Sequence, residues 1–552
     1  MQATGRRGSN QRVMNTSGKT MVRLSRRNLL KSGCAAGLGW LLPSLESFAA
    51  AGNPRQFHLC LAPDAFDRDP ELLATVREAG INAVWLAGFC YGHWHWPVEK
   101  LRATRAKLEQ AGLAAHVINL PFGHPGNALE TTSGGFPLTP PQHWRTALLI
   151  DGKTGVGTSL HEPATAENVA AVRALRQAKF GQVFLDDDFR LARHPGQIGG
   201  CFCAEHRERF LRRGGYEAAR WDELLDDVRQ RRLTPLLRDW VGFTCDELTA
   251  SFRAQERVAG AGRLGIMVMV LGSEKAGIRL TDYRNALFRV GEGAFNDASF
   301  NPVGCKTKEL FSVLMHRRFA RPDLAFSETT AFPSNKLSAR NMAAKLVIST
   351  IADVRQTMFM SGLDPFPRSY WETLAPAMKT QAALHARLAS HKPRGPFKQF
   401  WGERSRWVGD DNPFSLFLAA GVPFEVTDKP ARDGWTFLSD FDARAVADKQ
   451  LVSRGTRLVH RPSVKPPLAD GEPLAESLDA LFAFKQRIAP SLADVPHVAQ
   501  HEPAVCAWYP TARAVLVWNL EDKQKTLTVR RGQRQQEIAL AGLEAKLVND
   551  MA

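Results

Sequence analysis

Eight short apolar runs, each followed by a stretch with helical periodicity, dominate the chain from residue 57 to residue 390. The runs are too apolar to have one face in water, which is typical of parallel strands covered on both faces. This alternation predicts an α/β fold, and eight repeats predict a (β/α)8 TIM barrel. A doubly wound open sheet is the competing topology. The predicted strands occupy residues 57–62, 82–88, 114–120, 182–188, 264–270, 286–292, 324–330 and 357–363.

The pattern changes after the segment "SHKPRGP" that ends the predicted barrel, which we assign to residues 52–390. Helices and short strands alternate over 396–465, which predicts a small α/β domain. A linker and a helical segment are predicted over 466–504. From residue 505 to residue 552, apolar and polar residues alternate between turn signals, so this part is predicted to be a small antiparallel β domain.

Residues 1–51 have the features of an export signal. The basic segment "SRRNLLK" precedes a mild apolar run and three small residues at 49–51. The pair Arg26 and Arg27 indicates the twin-arginine type, so the predicted partner is the twin-arginine export machinery and the predicted location is periplasmic or secreted. A frayed basic tail is the alternative. No later stretch is long and apolar enough to predict an integral membrane protein.

The positive charge of the chain does not indicate a nucleic-acid partner. Residues 1–51 contain eight Lys or Arg and one acidic residue, so +7 of the formal +16 belongs to the signal. The remaining excess is spread along the chain rather than gathered into a stripe, which argues against nucleic-acid binding. The seven cysteines beyond the signal are irregularly spaced, unlike the disulfide framework of a small secreted domain.

Acidic side chains end three of the predicted strands. Asp186, Asp187 and Asp188 end the fourth, Glu292 ends the sixth and Glu328 ends the seventh. These ends meet at one face of a barrel, where active sites are built. Cleavage of a glycosidic bond needs one protonated and one ionised carboxyl group, and crowded carboxylates resist full ionisation. The pattern therefore predicts a glycoside hydrolase, with structural salt bridges as the alternative role for these acids.

A segment rich in aromatic side chains follows the second predicted strand. Its members are His93, Trp94, His95 and Trp96. They combine apolar ring faces with hydrogen-bonding edges, a combination that binds the C–H face and the hydroxyl groups of a sugar. The alternative is that these rings only close the mouth of the barrel.

Three potential metal ligands follow the acids of the fourth strand. Cys201, Cys203 and His206 have the spacing of zinc ligands on a short loop, and Cys90 is a candidate fourth ligand. Such a site would be structural and would hold the loop after the catalytic strand. Plain buried cysteines, or a disulfide formed after export, are the alternatives.

These motifs together resemble glycoside hydrolase family 42, the β-galactosidases, within the clan of retaining barrel glycosidases. In that family an Asn-Glu-Tyr motif after the fourth strand leads to a Cys-x-Cys-x-x-Cys zinc cluster. Here Asp187, Asp188 and Phe189 lead to "CFCAEH", and Glu328 lies in "AFSETTAFPSNKLSAR". The resemblance implies that Asp188 is the acid/base, that Glu328 is the nucleophile of a retaining mechanism, and that zinc binds to the cluster.

The resemblance extends beyond the barrel. It implies an amidotransferase-like fold for the α/β domain at 396–465 and, because members are often trimers, a homo-oligomer. The chain departs from the family pattern, because Asp187 replaces an asparagine, Asp188 replaces a glutamate and His206 replaces the last cysteine. The sugar specificity therefore stays unassigned.

The sequence predicts an exported glycoside hydrolase that acts on an oligo- or polysaccharide with an Asp/Glu pair. Asp186 and Asp187 are expected to tune the acid or to bind sugar hydroxyl groups, and Glu292 is also expected to contact the sugar. A carbohydrate-binding or polysaccharide-handling barrel without turnover is the alternative. A metal-dependent hydrolase is disfavoured, because the chain has no His-x-His at the first strand and no His-Glu-x-x-His motif.

Overall fold

A computed structural model describes residues 55–122, 140–158, 160–186, 189–194, 196–427, 429–449, 451, 455–465 and 467–549. The predicted export signal lies outside the described residues, and so do Asp187 and Asp188. Among the helices of the described part, none is long and apolar enough to cross a membrane.

Eight parallel strands form a closed barrel. They are β1 (Gln56–Leu61), β2 (Ala83–Cys90), β3 (Ala114–Leu120), β4 (Val183–Leu185), β5 (Leu264–Met267), β6 (Leu287–Arg289), β7 (Ala325–Thr330) and β8 (Gln356–Met360). The sheet closes because β1 pairs with both β2 and β8, with His58 opposite Ala83 and Gln56 opposite Gln356. All eight predicted strands are confirmed, and the alternative of an open sheet is wrong.

The barrel interior is filled by one side chain from each strand. Their cluster consists of Cys60, Trp85, Ile118, Phe184, Met267, Leu287, Phe326 and Met358. The indole N–H of Trp85 donates to Nδ1 of His58 over 3.1 Å, so the polar atom of this large buried ring is satisfied. This packed layer closes the interior, and polar groups that can reach a ligand must therefore lie at the strand ends.

Within the described residues, seven helices cover the barrel. They are α1 (Leu72–Ala79), α2 (Val98–Gln110), α3 (Ala164–Gln177), α4 (Pro235–Ala259), α5 (Val303–His316), α6 (Ala339–Ile351) and α7 (Tyr370–Leu388). Two of these helices begin at a side-chain cap. Thr234 accepts the N–H of Leu237 ahead of α4, and Ser338 accepts the N–H of Asn341 ahead of α6.

The connection between β5 and β6, all of which is described, contains two 3-10 turns, Glu274–Ala276 and Leu280–Tyr283, in place of a helix. Lys275 in the first turn is completely buried. Its ammonium donates to the carbonyl oxygens of Ser405 over 3.2 Å and Gly409 over 2.9 Å, and it forms an ion pair with Asp411. This turn therefore binds the barrel to the region that follows it.

That region contains a five-stranded parallel sheet and then antiparallel strands. The parallel strands, in spatial order, are Phe424–Thr427, Phe397–Phe400, Trp435–Leu438, Arg457–His460 and Gly471–Pro473. The last of them lies in the stretch for which the sequence predicts a linker. Two three-stranded antiparallel sheets follow, formed by His497–Val498, Lys525–Arg531 and Arg534–Leu540, and by Ala504–Tyr509, Ala514–Asn519 and Ala545–Asn549. The predicted order of barrel, α/β region and antiparallel β region is confirmed.

Candidate active site and metal centre

Arg289, the last residue of β6, connects the acidic ends of two other strands. Its Nη2 atom lies 3.2 Å from a carboxylate oxygen of Asp186 and 3.2 Å from a carboxylate oxygen of Glu328. Because both oxygens lie 3.2 Å from one nitrogen, they are at most about 6.4 Å apart, twice that distance. Two of the acids predicted from strand ends therefore come together around one cation.

All three side chains of this group are buried, with side-chain exposures of 1% for Arg289, 8% for Asp186 and 7% for Glu328. Buried carboxylates are stable in the ionised form only when a nearby cation or several hydrogen bonds compensate their charge. The guanidinium of Arg289 supplies such a cation to both. Sequence reasoning missed this residue, although an arginine inside an otherwise apolar run was a visible signal.

Glu292, for which the sequence predicts contact with the sugar, has no exposed side-chain surface. Its carboxylate accepts the backbone N–H of Glu328 over 3.1 Å and lies 2.9 Å from the ammonium of Lys345. Burial raises the pKa of Glu292 to about 7, although the positive charge of Lys345 opposes this shift. Glu292 is thus close to Glu328 but is engaged by the protein itself.

The aromatic segment lies where β2 ends. His93–Trp94 form a short strand antiparallel to the end of β2, with Trp94 opposite Phe89. The rings of Trp94 and Phe89 are 5.3 Å apart. All four predicted sugar-binding residues, His93, Trp94, His95 and Trp96, are half-buried. Burial, assisted by the neighbouring His93, lowers the pKa of His95 to about 4, so this ring is neutral at neutral pH.

Four side chains from the segments before α3 and after β4 could hold a metal ion. They are His161, Cys201, Cys203 and His206, and their ligand atoms all lie within 4.8 Å of one another. The sulfur of Cys203 lies 3.4 Å from Nε2 of His161 and 3.2 Å from Nδ1 of His206. In a tetrahedral zinc site the sulfur and nitrogen ligands are about 3.6 Å apart, as bond lengths near 2.3 and 2.1 Å require. These two distances are therefore close to those of a tetrahedral zinc site.

The prediction of Cys90 as the fourth ligand is wrong, because His161 occupies that place in the cluster. Cys90 is the last residue of β2, where its thiol contacts the carbonyl oxygen of Gly88 at 3.7 Å. His161 precedes α3 and is separated by 40 positions from Cys201. Sequence reasoning missed it because no short spacing relates it to the other three ligands.

A carboxylate supports the cluster from outside. An oxygen of Glu205 lies 3.2 Å from Nδ1 of His161, on the ring side opposite to Cys203, and 2.6 Å from Arg145. Carboxylates in this position orient metal-binding histidines. Burial lowers the pKa of His206 to about 4, so the imidazole is neutral and able to bind a cation at neutral pH. Burial also raises the pKa of Cys201 to about 11, a shift that a bound cation would oppose.

The chain is similar in structure to a β-galactosidase from Rahnella sp. R3, with a TM-score of 0.57 and 11% sequence identity over 90% of this chain and 98% of that one. An α-L-fucosidase isoenzyme 2 from Paenibacillus thiaminolyticus aligns with a TM-score of 0.44 and 10% identity, over 74% of this chain and 63% of that one. No family model and no curated protein matches the sequence. The likeness to the β-galactosidase shows that the two chains share a fold.

Proposed function

We propose that the protein is an exported glycoside hydrolase that uses carboxylates at the strand ends of its barrel. The observation that carries this proposal is the contact of both Asp186 and Glu328 with one nitrogen of Arg289. Glycosidic bond cleavage requires two carboxyl groups within about 5 to 9.5 Å of each other. The ends of β4 and β7 supply acids whose oxygens are at most about 6.4 Å apart, twice 3.2 Å, at the barrel face where enzymes of this fold carry out catalysis.

Each acid has a distinct proposed role. Glu328 acts as the nucleophile, and the adjacent guanidinium of Arg289 favours its ionised form. Asp188 donates the proton to the leaving oxygen, while Asp186 and Asp187 tune that proton donor or bind sugar hydroxyl groups. A separation near 5–5.5 Å between the carboxyl groups of Asp188 and Glu328 would give retention, and one near 6.5–9.5 Å would give inversion. The anomeric form of the first product, followed by NMR, distinguishes these outcomes.

An exposed aromatic ring near the candidate nucleophile supports a carbohydrate substrate. Phe332 is 41% exposed and follows β7 by two positions. The preceding residue, Ala331, donates its backbone N–H to the carbonyl oxygen of Met360 over 2.9 Å, so Phe332 lies where β7 and β8 end. Aromatic faces bind the apolar C–H faces of sugars. With His93, Trp94, His95 and Trp96 at the end of β2, this ring would contact an oligo- or polysaccharide.

The metal that best suits the four-residue cluster is zinc. Two histidine nitrogens and two cysteine sulfurs are a ligand set that zinc prefers, and four protein ligands complete its tetrahedral coordination. A zinc ion held by His161, Cys201, Cys203 and His206 would stabilise the fold and would not activate water. His161 precedes α3, whereas the other three ligands follow β4, so the ion would fasten two segments that are separated in the sequence.

A panel of chromogenic glycosides tests the proposed function. We expect hydrolysis of at least one substrate by the wild type and none by Glu328→Gln. Glu425→Gln is the matched control, because Glu425 is also a mostly buried, ion-paired carboxylate but belongs to the parallel sheet after the barrel. Turnover that survives Glu328→Gln would overturn the assignment of the nucleophile.

A carbohydrate-binding barrel without turnover is the second candidate function. The contact that favours it is the ion pair of Glu328 with Arg289, since a carboxylate engaged by a buried guanidinium is a weaker nucleophile. Calorimetric binding of a sugar that the wild type does not hydrolyse would support this alternative.

A further inference from the structure

The backbone of Glu328 is held by a side chain at the point where its neighbouring strand ends. β6 pairs with β7 through Phe288 opposite Ala325 and Arg289 opposite Phe326, and Val290 then donates its N–H to the carbonyl oxygen of Phe326 over 2.8 Å. After Val290 the chain no longer pairs with β7 as a strand. The carboxylate of Glu292 accepts the N–H of Glu328 over 3.1 Å and so continues the ladder.

Glu292 is in turn held by Lys345 of α6, whose ammonium lies 2.9 Å from it and 3.0 Å from Glu309 of α5. The side chains of Lys345 and Glu292 are completely buried, and that of Glu309 is 4% exposed. Lys345 also donates to the carbonyl oxygen of Ala294 over 3.1 Å. Glu309 accepts the backbone N–H groups of Gly293 and Ala294, each over 2.5 Å. The three charged side chains therefore connect the segment after β6 with α5, α6 and β7.

We propose that the buried ion network of Lys345, Glu292 and Glu309 positions Glu328 for catalysis through its backbone. This inference rests on the proposed function, in which Glu328 is the nucleophile. The three residues are positioning residues, since their charged groups are buried and bound to one another within the protein. A displacement of about 1 Å at a reacting group can cost about 100-fold in rate, so a support of this kind is significant for the reaction.

The network contains two carboxylates and one ammonium, and the charge of Glu292 also acts on the guanidinium of Arg55. Burial alone would lower the pKa of Lys345, but Glu292 and Glu309 together raise it above its usual value, so the ammonium stays charged. Burial lowers the pKa of Arg55 to about 9, against the opposing charge of Glu292, so Arg55 also stays charged at neutral pH. Glu292, with its pKa raised to about 7 by burial, is the member that titrates near neutrality.

The direction of the pH effect follows from the acceptor strength of Glu292. Above pH 7 its carboxylate is ionised and accepts a stronger hydrogen bond from the N–H of Glu328. Below pH 7 it is protonated and holds this N–H less firmly. We therefore expect kcat to rise as the pH passes upward through 7. The free energy of unfolding should instead fall as the pH rises from 4.5, the ordinary pKa of a glutamate, to about 7. In this interval folded Glu292 retains a proton that it has already released in the unfolded state.

Kinetics of two variants test the positioning role. Glu292→Met removes the acceptor and should lower kcat about 100-fold with KM within about twofold of the wild type. Glu292→Gln keeps an acceptor oxygen, so it should restore most of kcat and remove its rise near pH 7. Glu274→Gln is the matched control. Glu274 is also a buried, ion-paired carboxylate, but its partner is Arg406 and it does not belong to the network of Lys345. Wild-type kcat in Glu292→Met, or a pH profile unchanged in Glu292→Gln, would overturn the proposal.

An NMR titration tests the same network without turnover. In protein labelled with 15N-glutamate, the amide resonance of Glu328, identified by its loss in Glu328→Gln, should move with pH with a midpoint near 7. In Glu292→Gln it should not move. A resonance that does not titrate in an active enzyme overturns this inference and leaves the proposed function intact. A titrating resonance in a chain that hydrolyses no glycoside supports the network and counts against the proposed function.

Discussion

The guanidinium of Arg289 and the carboxylate of Glu328 lie 3.2 Å apart, both almost completely buried. This ion pair joins the end of β6 to β7, and the same nitrogen of Arg289 also contacts Asp186 after β4. Glu328, which the sequence predicts to be the nucleophile, and Asp186, which it predicts to tune the acid or to bind sugar hydroxyl groups, thus contact one buried cation. Stability and catalysis are both expected to depend on this cation.

Replacement of Arg289 by methionine removes the cation that contacts both carboxylates. Breaking a buried ion pair from one side typically costs about 3–5 kcal/mol, so we expect a loss of this size in the free energy of unfolding. Denaturant titration at pH 7 measures it. Arg289→Lys keeps the charge and should lose less. Equal stability of Arg289→Met and the wild type would contradict the compensating role of the guanidinium.

Replacement of His161 by alanine removes one of four zinc ligands. Elemental analysis of protein purified without chelator should give about one zinc per chain in the wild type and much less in this variant. Cys203→Ser should behave in the same way, and both variants should unfold at a lower temperature. Cys90→Ser is the control and should keep its zinc, because Cys90 is outside the cluster. A wild type without metal, or equal metal loss in Cys90→Ser, would contradict the assignment.

Replacement of Asp188 by alanine tests the proton donor. Substrates with poor leaving groups need a proton on the leaving oxygen, whereas activated aryl glycosides do not. The rate on a natural glycan should therefore fall far more than the rate on a nitrophenyl glycoside. Asp186→Asn, measured in parallel, shows whether the neighbouring acid has this role instead. Wild-type rates of Asp188→Ala on the natural glycan would rule out Asp188 as the donor.

Replacement of Phe332 by alanine tests the sugar-binding surface. An aromatic contact contributes about 0.5–1.5 kcal/mol, so KM should rise about twofold to tenfold with a smaller change in kcat. The free energy of unfolding should change by less than about 0.5 kcal/mol, because the ring is substantially exposed. Phe332→Trp should keep the wild-type KM. An unchanged KM in Phe332→Ala would remove this ring from the proposed site.

Replacement of both Arg26 and Arg27 by lysine tests the export signal. The paired arginines define the twin-arginine type, so the double variant should accumulate inside the cell with an uncleaved signal. Fractionation followed by immunodetection measures the distribution. The matched control is Arg6→Lys with Arg7→Lys, which changes a second arginine pair in the same leader. Unchanged export of the Arg26 and Arg27 variant would contradict the twin-arginine assignment.

The barrel strands could be predicted because they are buried on both faces, which leaves an apolar run in the sequence. The fifth strand, predicted at 264–270, begins at Leu264 and ends at Met267. The connection that follows was harder to predict, because helical periodicity alone does not reveal that it forms only 3-10 turns. The glycine at position 277 opposes a helix there, and in the structure its φ is +86°, outside the helical region.

The candidate site could be predicted only in part. Acids at strand ends, such as Glu328, follow from the rule that parallel strands present their carboxyl ends together. Arg289 and His161 could not be assigned, because their roles depend on contacts between segments far apart in sequence. Because Glu292 ends a predicted strand, its side chain was expected at the mouth of the barrel, in contact with the sugar. Its burial results from Lys345, which approaches from a helix more than 50 positions later.

The burial of Lys275 restricts how this architecture can be recombined. Its ammonium belongs to the barrel, whereas the oxygens that satisfy it, on Ser405, Gly409 and Asp411, belong to the region after residue 396. In a barrel fused to an unrelated C-terminal region, the ammonium of Lys275 would stay buried without these acceptors. The loss would lower the free energy of unfolding by several kcal/mol. We therefore expect the two regions to be inherited as a unit, with modular exchange tolerated only when residue 275 changes together with the new neighbour.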